Sequence, residues 1–448
     1  MRAIVAVFAC AISLVVAGCG GGGDSNAPAE KKINILWAKW APADALQKLS
    51  EEYTKKTGIV VTINQKPWAD YGAVKGQEFA NRSDTYDIII GDSQWIGQGV
   101  VGGHYVELTD LIKQHTDTFA DVAPAAKSFY AEYPKGSQRY YAVACESDAM
   151  AIAYRKDLFE DPKHQAAFKE FLKKNTQPEF ELAVPKTWEQ LYWISNYFKN
   201  GSGIEGMAGI VMPTVASYDQ ATMSFQSMLW AFGGDWGDQH KLTATIGSPD
   251  ATAALAFMKK LIDTSSAQGA TMDYGDVLST YTSGRSAMAM TYFAFFPAFN
   301  SPTDNRDYHA KTGYFNVPAG PKGRFTALGG QGMSVNAHIS PARQHQAKEY
   351  LVWFSGDDIQ TEWARLGGFT AHTKILKTDA FLKAAPYNGL FEEAFGMMRD
   401  FWNIPEYDQL LTVAQNNISA TLQGRQTPEE ATKIMQAEHE NILKTATK

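Results

Sequence analysis

Short apolar runs alternate with amphipathic stretches along most of the chain. The apolar runs are rich in β-branched residues and predict buried strands, and the stretches between them carry apolar residues at helical spacing. The predicted strands lie at 33–37, 59–63, 87–90 and 149–154, and the predicted helices lie at 42–57 and 187–198. Such alternation is typical of an α/β fold with largely parallel sheets.

The C-terminal part of the chain has a different, mostly helical pattern. From about Pro341 onwards the clearest helical stretches lie at 342–354, 359–365 and 428–444. No repeat of fixed period is visible in the sequence, which excludes solenoids and propellers. We therefore expect an α/β protein with a helical C-terminal region.

The N-terminal stretch has the pattern of a targeting segment. Arg2 is followed by an almost wholly apolar run from Ala3 to Val16, and then by two small residues and Cys19. A positive start, a short apolar run and small residues before a cleavage point are typical of a secretory signal peptide. Val16-Ala17-Gly18-Cys19 resembles the bacterial lipobox, in which the cysteine becomes the lipid-bearing first residue. A plain signal peptide with a chance cysteine is the alternative.

We therefore expect residues 1–18 to be removed, Cys19 to carry a lipid, and 19–32 to form a flexible tether. A lipidated cysteine anchors a protein without spanning the membrane, so the expected location is extracytoplasmic, in the periplasm or at the cell surface. Of the three cysteines only Cys145 would stay free, so no intramolecular disulfide is expected.

Charge and composition exclude several classes of function. The 448 residues include 41 basic and 48 acidic side chains, a net charge of −7, without a run of Lys or Arg. This charge disfavours nucleic acid and anionic membrane surfaces as partners. The nine histidines are scattered, and P-loop, Cys-x-x-Cys and His-Glu-x-x-His motifs do not occur in the sequence. We therefore expect neither a metal site nor a cofactor.

Several segments follow one another in an order that points to a family. Pro185-Lys-Thr-Trp-Glu-Gln-Leu191 and Ser283-Gly-Arg-Ser-Ala-Met-Ala-Met290 are preceded by Leu49 to Gly58 and Asp87 to Asp92, and are followed by Gly329-Gly330. This order resembles bacterial extracellular solute-binding proteins of the sugar type, which feed ABC importers. That family has Pro-x-Thr-Trp-Glu-Glu-Leu and Gly-x-x-Ala-Met at the corresponding places. The resemblance covers essentially the whole mature chain.

The resemblance implies a two-lobed clamp like that of periplasmic binding proteins, each lobe a mostly parallel sheet flanked by helices. Lobe 1 would comprise 33–142 with 292–333, and lobe 2 would comprise 143–291 with 334–448. A solute would bind between the lobes and close them by hinge bending, with no bond made or broken. We expect a monomer that captures a sugar or polyol and presents it to the membrane subunits of an ABC importer.

Candidate ligand contacts follow predicted strands, lie at predicted crossings between lobes, or occupy an aromatic, glycine-rich loop. Aromatic rings suit the apolar face of a sugar, and carboxyl or amide groups suit its hydroxyls. The candidates are Trp40, Trp68, Asp92, Ser93, Trp95, Glu146, Asp148, Trp230, Asp235, Trp236, Tyr292, Phe293, Gly330, Gln331 and Phe369. The alternative is that the aromatic residues are plain core, that Asp92 is a helix N-cap and that Glu146 and Asp148 are solvated.

Three other functions stay open from the sequence. Gly91-Asp92-Ser93 after an apolar strand resembles the nucleophile block of GDSL-type hydrolases, and Asp92 with Glu146 or Asp235 would mimic the carboxylate pair of a glycosidase. A sensor that presents loaded protein to a membrane receptor would have the same sequence. The segment Cys145-Glu146-Ser147-Asp148 is polar where the family often has Pro and apolar residues, which leaves room for an amine-bearing or cationic solute.

Overall fold

The structure, a computed structural model, describes residues 31–446. Within them the strands are β1 (Lys32–Ala38), β2 (Val60–Lys66), β3 (Ile88–Asp92), β4 (Val143–Arg155), β5 (Ala208–Val211), β6 (Gly237–Asp238), β7 (Thr243–Ala244), β8 (Ser286–Tyr292), β9 (Thr312–Asn316), β10 (Thr326–Val335) and β11 (Met398–Arg399). The helices are α1 (Ala41–Thr57), α2 (Trp68–Ala80), α3 (Ile96–Val101), α4 (Thr109–Gln114), α5 (Thr116–Phe119), α6 (Pro124–Ala126), α7 (Lys156–Glu160), α8 (Pro162–Lys174), α9 (Trp188–Asn200), α10 (Gln220–Phe232), α11 (Pro249–Ile262), α12 (Tyr274–Thr282), α13 (Phe296–Asn300), α14 (Pro341–Phe354), α15 (Asp357–Arg365), α16 (Asp379–Leu382), α17 (Phe391–Phe395), α18 (Tyr407–Leu422) and α19 (Pro428–Thr445).

The ends of the helices follow from local sequence signals. Helix α1 has Pro42 in its first turn and two lysines in its last, and it stops at Gly58, whose φ of 73° is left-handed. Helix α19 begins with a capping box in which Thr427 and Glu430 bond each other's backbone N–H groups. These signals explain why the predicted helices, including those of the C-terminal region, are confirmed within a few residues.

One mixed sheet runs through both lobes, with the strand order β2-β1-β3-β10-β4-β8-β5. Strand β1 is parallel to β2 and β3, and β5 is parallel to β8. The long strands β4 and β10 are antiparallel to each other and to their other neighbours, β8 and β3. The two halves of the sheet are therefore joined through the β4–β10 pair.

Helix packing completes each half. Helices α1, α2, α14 and α15 pack around β1–β3, and α9 to α12 with α18 and α19 pack around the half that contains β5 and β8. Helix α14 is tied to the first half by polar contacts as well as by its rings. The Ser50 and Tyr350 hydroxyls lie 2.8 Å apart, and Arg343 Nε donates to Asp87 Oδ1 at 2.7 Å.

The strand pairing favours a division of the chain that differs from the expected one. The sequence predicts 292–333 in lobe 1, yet β9 pairs with β4 along Ala151–Arg155, beside β8. It predicts 334–448 in lobe 2, yet α14 packs on β1. We therefore propose a first lobe of 32–142 with 332–365 and a second lobe of 149–328 with 372–446. The segments between these ranges are the crossings between the lobes. One of them, 366–371, is hydrogen-bonded to β4 through Phe369.

The expected signal peptide (1–18), the lipid site at Cys19 and nearly all of the tether (19–32) lie outside the described residues. No helix between residues 31 and 446 is both long and apolar enough to cross a membrane.

Candidate functional site

A cavity of about 70 Å³ lies between the two lobes, where the carboxyl ends of β1 and β3 face the β4–β10 crossing. Ligands of open α/β sheets bind at this edge, because the loops that follow parallel strands gather there. The cavity is lined by Ala38, Lys39, Trp40, Trp68, Asp92, Gln94, Asp148, Asp219, Tyr274, Tyr292, Phe295, Leu328, Gly329, Gly330 and Gln331.

The first lobe contributes two indole rings. Trp40 lies two residues after the end of β1, directly before α1, and Trp68 is the first residue of α2. Their ring centroids lie 6.1 Å apart at an interplanar angle of 30°. Trp37, in the strand below, packs edge-on against Trp40 at 5.6 Å and so fixes its orientation. Neither the Trp40 nor the Trp68 indole N–H has a hydrogen-bond partner among the described residues. The pair therefore forms an apolar wall with two unpaired hydrogen-bond donors.

The second lobe contributes a facing aromatic wall. Tyr274 is the first residue of α12, and its ring stacks on Phe295 at 4.7 Å and 18°. Tyr292 ends β8, and its hydroxyl donates to the Leu328 carbonyl at 3.1 Å. Both halves of the fold therefore supply rings to one small cavity.

The crossing strand β10 forms the floor of the cavity. Gly330 has a φ of 91°, and a Cβ there would lie 2.3 Å from the Glu146 carbonyl oxygen and 2.8 Å from the Asp148 backbone N. Only glycine fits this left-handed, close approach. The side-chain oxygen of the next residue, Gln331, accepts the indole N–H of Trp37, which ties the crossing to β1.

Three carboxyl groups line the cavity, and burial shifts all three toward the protonated form. Asp92 accepts the Tyr218 hydroxyl at 3.1 Å, yet burial and the neighbouring Asp400 carboxyl raise its pKa to about 7. Burial raises the pKa of Asp148 well above its usual value, although the backbone N–H of the next residue donates to its carboxyl at 2.8 Å. Burial and the nearby charge of Asp92 raise the pKa of Asp219 in the same way.

Seven of the predicted contacts line this cavity, and the sequence missed others. The seven are Trp40, Trp68, Asp92, Asp148, Tyr292, Gly330 and Gln331. Gln94 was not predicted, although it lies two positions after Asp92, in the same loop as three predicted contacts. Asp219 and Tyr274 stand at the starts of α10 and α12, where sequence signals indicate caps rather than ligand contacts. Asp219 makes no side-chain cap bond and has a φ of 56°.

Five predicted contacts are buried beside the cavity without lining it. Trp95 packs against Tyr71 with ring centroids 5.3 Å apart, and the Lys75 ammonium lies 4.4 Å from its ring. Phe293 and Phe369 lie 5.7 Å apart within an aromatic cluster of the core. The others are Ser93, whose hydroxyl donates to the Asp92 carboxyl at 3.2 Å, and Glu146, whose carboxyl accepts the Phe369 backbone N–H at 3.0 Å. These side chains therefore contact other protein atoms and are not part of the cavity lining.

The remaining three candidates line a second cavity of about 340 Å³. The Trp230 indole N–H donates to Asp235 Oδ1 at 3.2 Å, and the Trp236 backbone N–H donates to the same oxygen at 2.8 Å. Asp92 and Asp235 therefore line different cavities, and Glu146 lines neither of them. The two carboxyl pairs that the sequence suggested for a glycosidase, Asp92 with Glu146 and Asp92 with Asp235, are therefore not brought together in one cavity. Asp92 shares its cavity with Asp148 and Asp219 instead.

Comparison with known proteins gives the family. The sequence pattern described as "Bacterial extracellular solute-binding protein" matches residues 38–361. The chain belongs to this family. It is therefore a solute-binding protein.

Individual relatives are distant. A protein of Sinorhizobium fredii named as a probable amino-acid ABC transporter periplasmic-binding protein is 21% identical over 418 residues, 92% of this chain and 90% of that protein. Maltose-bound MalE3 of T. maritima has a TM-score of 0.76 at 23% identity, covering 92% of this chain and 99% of that one. A solute-binding protein of Agrobacterium radiobacter in complex with ribitol has a TM-score of 0.76 at 20% identity, covering 92% and 98%. These likenesses confirm the two-lobed α/β clamp.

Proposed function

We propose that this protein captures a small polyhydroxylated solute, a sugar or polyol, between its lobes and delivers it to an ABC importer. The observation that carries the proposal is the composition of one cavity, in which aromatic walls from both lobes surround carboxyl and amide groups. The ligands of structural neighbours agree, since these proteins hold maltose, ribitol and, in an Agrobacterium vitis protein, D-mannitol.

The mechanism is closure around the ligand. The faces of Trp40 and Trp68 cover the C–H surface of the solute, and their free indole N–H groups donate to its hydroxyl oxygens. Asp148 reaches the same ligand from the crossing, and Tyr292 reaches it from the second lobe. A solute that contacts both walls only when the lobes are shut shifts the population toward the closed form. The importer would then receive closed, loaded protein.

The location follows from the N-terminal sequence, which supports a lipid anchor at Cys19 and an extracytoplasmic body. Labelling with a fatty acid in a bacterial host tests this, with Cys19→Ala as the comparison. We expect the label on the natural protein and its loss in the variant. Equal labelling of both proteins would contradict the anchor.

The ligand class is tested by the melting temperature of the mature chain with a panel of sugars and polyols. A ligand at 100 times its Kd adds about 2.7 kcal/mol to the free energy of unfolding. We expect at least one compound to raise the melting temperature in a concentration-dependent way and to be recovered unchanged. A compound that stabilises the protein but is recovered cleaved would favour the hydrolase alternative.

A further inference from the structure

The lining of the interlobe cavity is unbalanced in charge. It carries the carboxyl groups of Asp92, Asp148 and Asp219, and the one basic side chain of the lining is Lys39. Lys39 is exposed, so it lies at the rim and remains largely solvated. Asp400 adds a further carboxyl next to the cavity, because Gln94 Nε2 donates to it at 3.4 Å.

Asp219 is the member of this set that points to a ligand. Its side chain is 4% exposed and lines the cavity, yet Oδ1 has no hydrogen-bond partner among the described residues. It precedes α10 without capping it, in a left-handed conformation with a φ of 56°. A buried carboxyl without a cation beside it takes up a proton, as the raised pKa of Asp219 indicates, and a positively charged partner from outside the chain would allow it to ionise. The unpaired oxygen of Asp219 therefore calls for such a partner.

Two lysines lie near the cavity, where the charge of Lys75 acts on Asp92 and that of Lys135 acts on Asp400. The Lys75 ammonium donates to Gln98 Oε1 at 2.5 Å and lies over the Trp95 ring. The Lys135 ammonium lies 4.4 Å from the centre of the Phe129 ring. Neither lysine is part of the cavity lining, so neither neutralises it from within.

We infer that the solute is a polyhydroxylated amine, such as an amino sugar or an amino polyol, whose ammonium group lies against Asp219 and Asp92. This inference rests on the proposed function, because it names the chemistry of the ligand in the same cavity. Hydroxyl groups alone would give these carboxyls hydrogen bonds but no opposite charge. An ammonium supplies both, and the indole faces of Trp40 and Trp68 favour a cation beside them.

The test uses matched pairs of compounds that differ only in one amine. D-glucose is compared with D-glucosamine, and D-sorbitol with 1-amino-1-deoxy-D-sorbitol, by calorimetric titration of the mature chain at pH 7 and low salt. We expect the amine of at least one pair to bind at least 10-fold more tightly than its neutral partner.

The variant Asp219→Asn removes the charge and keeps the shape. Asparagine also tolerates a left-handed backbone, so we expect it to fold, which its melting temperature without ligand checks. The preference for the amine, taken as the ratio of the two affinities measured with this variant, should fall to less than threefold. Asp304→Asn is the matched control, since Asp304 is exposed and is outside the cavity lining, and it should keep the full preference.

The outcomes separate the two proposals. If the neutral member of each pair binds as tightly as the amine, the charge inference is refuted and the proposed function stands. If no member of either pair binds and no sugar or polyol of the wider panel does, the proposed ligand class fails and this inference fails with it. A preference for the amine that survives in Asp219→Asn would refute the role given to Asp219.

Discussion

The buried carboxyl of Asp92 makes a measurable prediction about pH. Its pKa rises from the usual 3.8 to about 7 because it is buried and lies near the Asp400 carboxyl. The folded protein then holds this proton more tightly than the unfolded chain does. The free energy of unfolding therefore falls as the pH rises from 3.8 toward 7 and levels off above that.

The magnitude follows from the shift. The unfolded chain has released this proton by pH 5, whereas the folded protein releases it around pH 7, and the two pKa units between these values correspond to about 3 kcal/mol. Asn at position 92 has no proton to lose, so Asp92→Asn should be stabilised relative to the natural protein by about 3 kcal/mol more at pH 8 than at pH 5. Titrating groups far from Asp92 are common to both proteins and cancel in the comparison.

The assay is the melting temperature of the unliganded mature chain across pH 5 to 8. An unfolding entropy of about 2.1 cal/mol/K per residue makes each kcal/mol worth about 1 °C in a chain this long, so the variant should gain about 3 °C on the natural protein over this range. The exposed control Asp304→Asn should follow the natural protein. Parallel curves for Asp92→Asn and the natural protein would refute the reasoning, because they would show that Asp92 stays solvated without ligand.

Three further predictions concern single residues. Trp40→Ala should weaken solute binding about 10- to 100-fold in a titration because it removes half of the indole wall, whereas Trp353→Ala, in a half-buried helix position outside the cavity, should lower the melting temperature and leave affinity unchanged. Gly330→Ala should cost at least about 2 kcal/mol by denaturant unfolding, since it adds a backbone clash to left-handed strain. Gly367→Ala isolates the strain, because its φ is 100° and a Cβ there meets nothing within 4 Å, so an equal cost would argue against the clash. The Cys145 thiol is buried and its pKa is raised by burial, so a thiol reagent should label it only as the protein unfolds, and fast labelling of the folded chain would contradict its burial.

Much of the first lobe could be predicted because its elements are local. Strand, helix and strand follow one another from β1 to β3, each with its own apolar pattern and stop signal. The carboxyl ends of parallel strands share one edge of the sheet, so the sequence alone places Trp40 and Asp92 at the same edge, and both line one cavity. The order of the motifs supplied the family.

The second wall of the cavity could not be predicted in the same way. Asp219 and Tyr274 come from helix starts whose local sequence indicates capping, and only the tertiary arrangement brings them to the cavity. Phe293 and Phe369 illustrate the converse, since aromatic residues at a crossing pack equally well on each other as on a ligand. The lobe boundaries depended on which strands pair across the crossing, which is a long-range property.

The pairing of early with late segments of the chain also affects how the protein folds during its synthesis. Ile90 in β3 pairs with Met333 in β10, and Tyr53 in α1 packs against Tyr350 in α14, so the earliest elements of the first lobe wait for some of the latest. The second lobe's strands β4, β5, β8 and β9 emerge in between. Closing so long a loop is slow, so the N-terminal third of a nascent chain lacks its partners until most of synthesis is complete. Truncation before residue 335 should therefore leave a chain that never forms its first lobe.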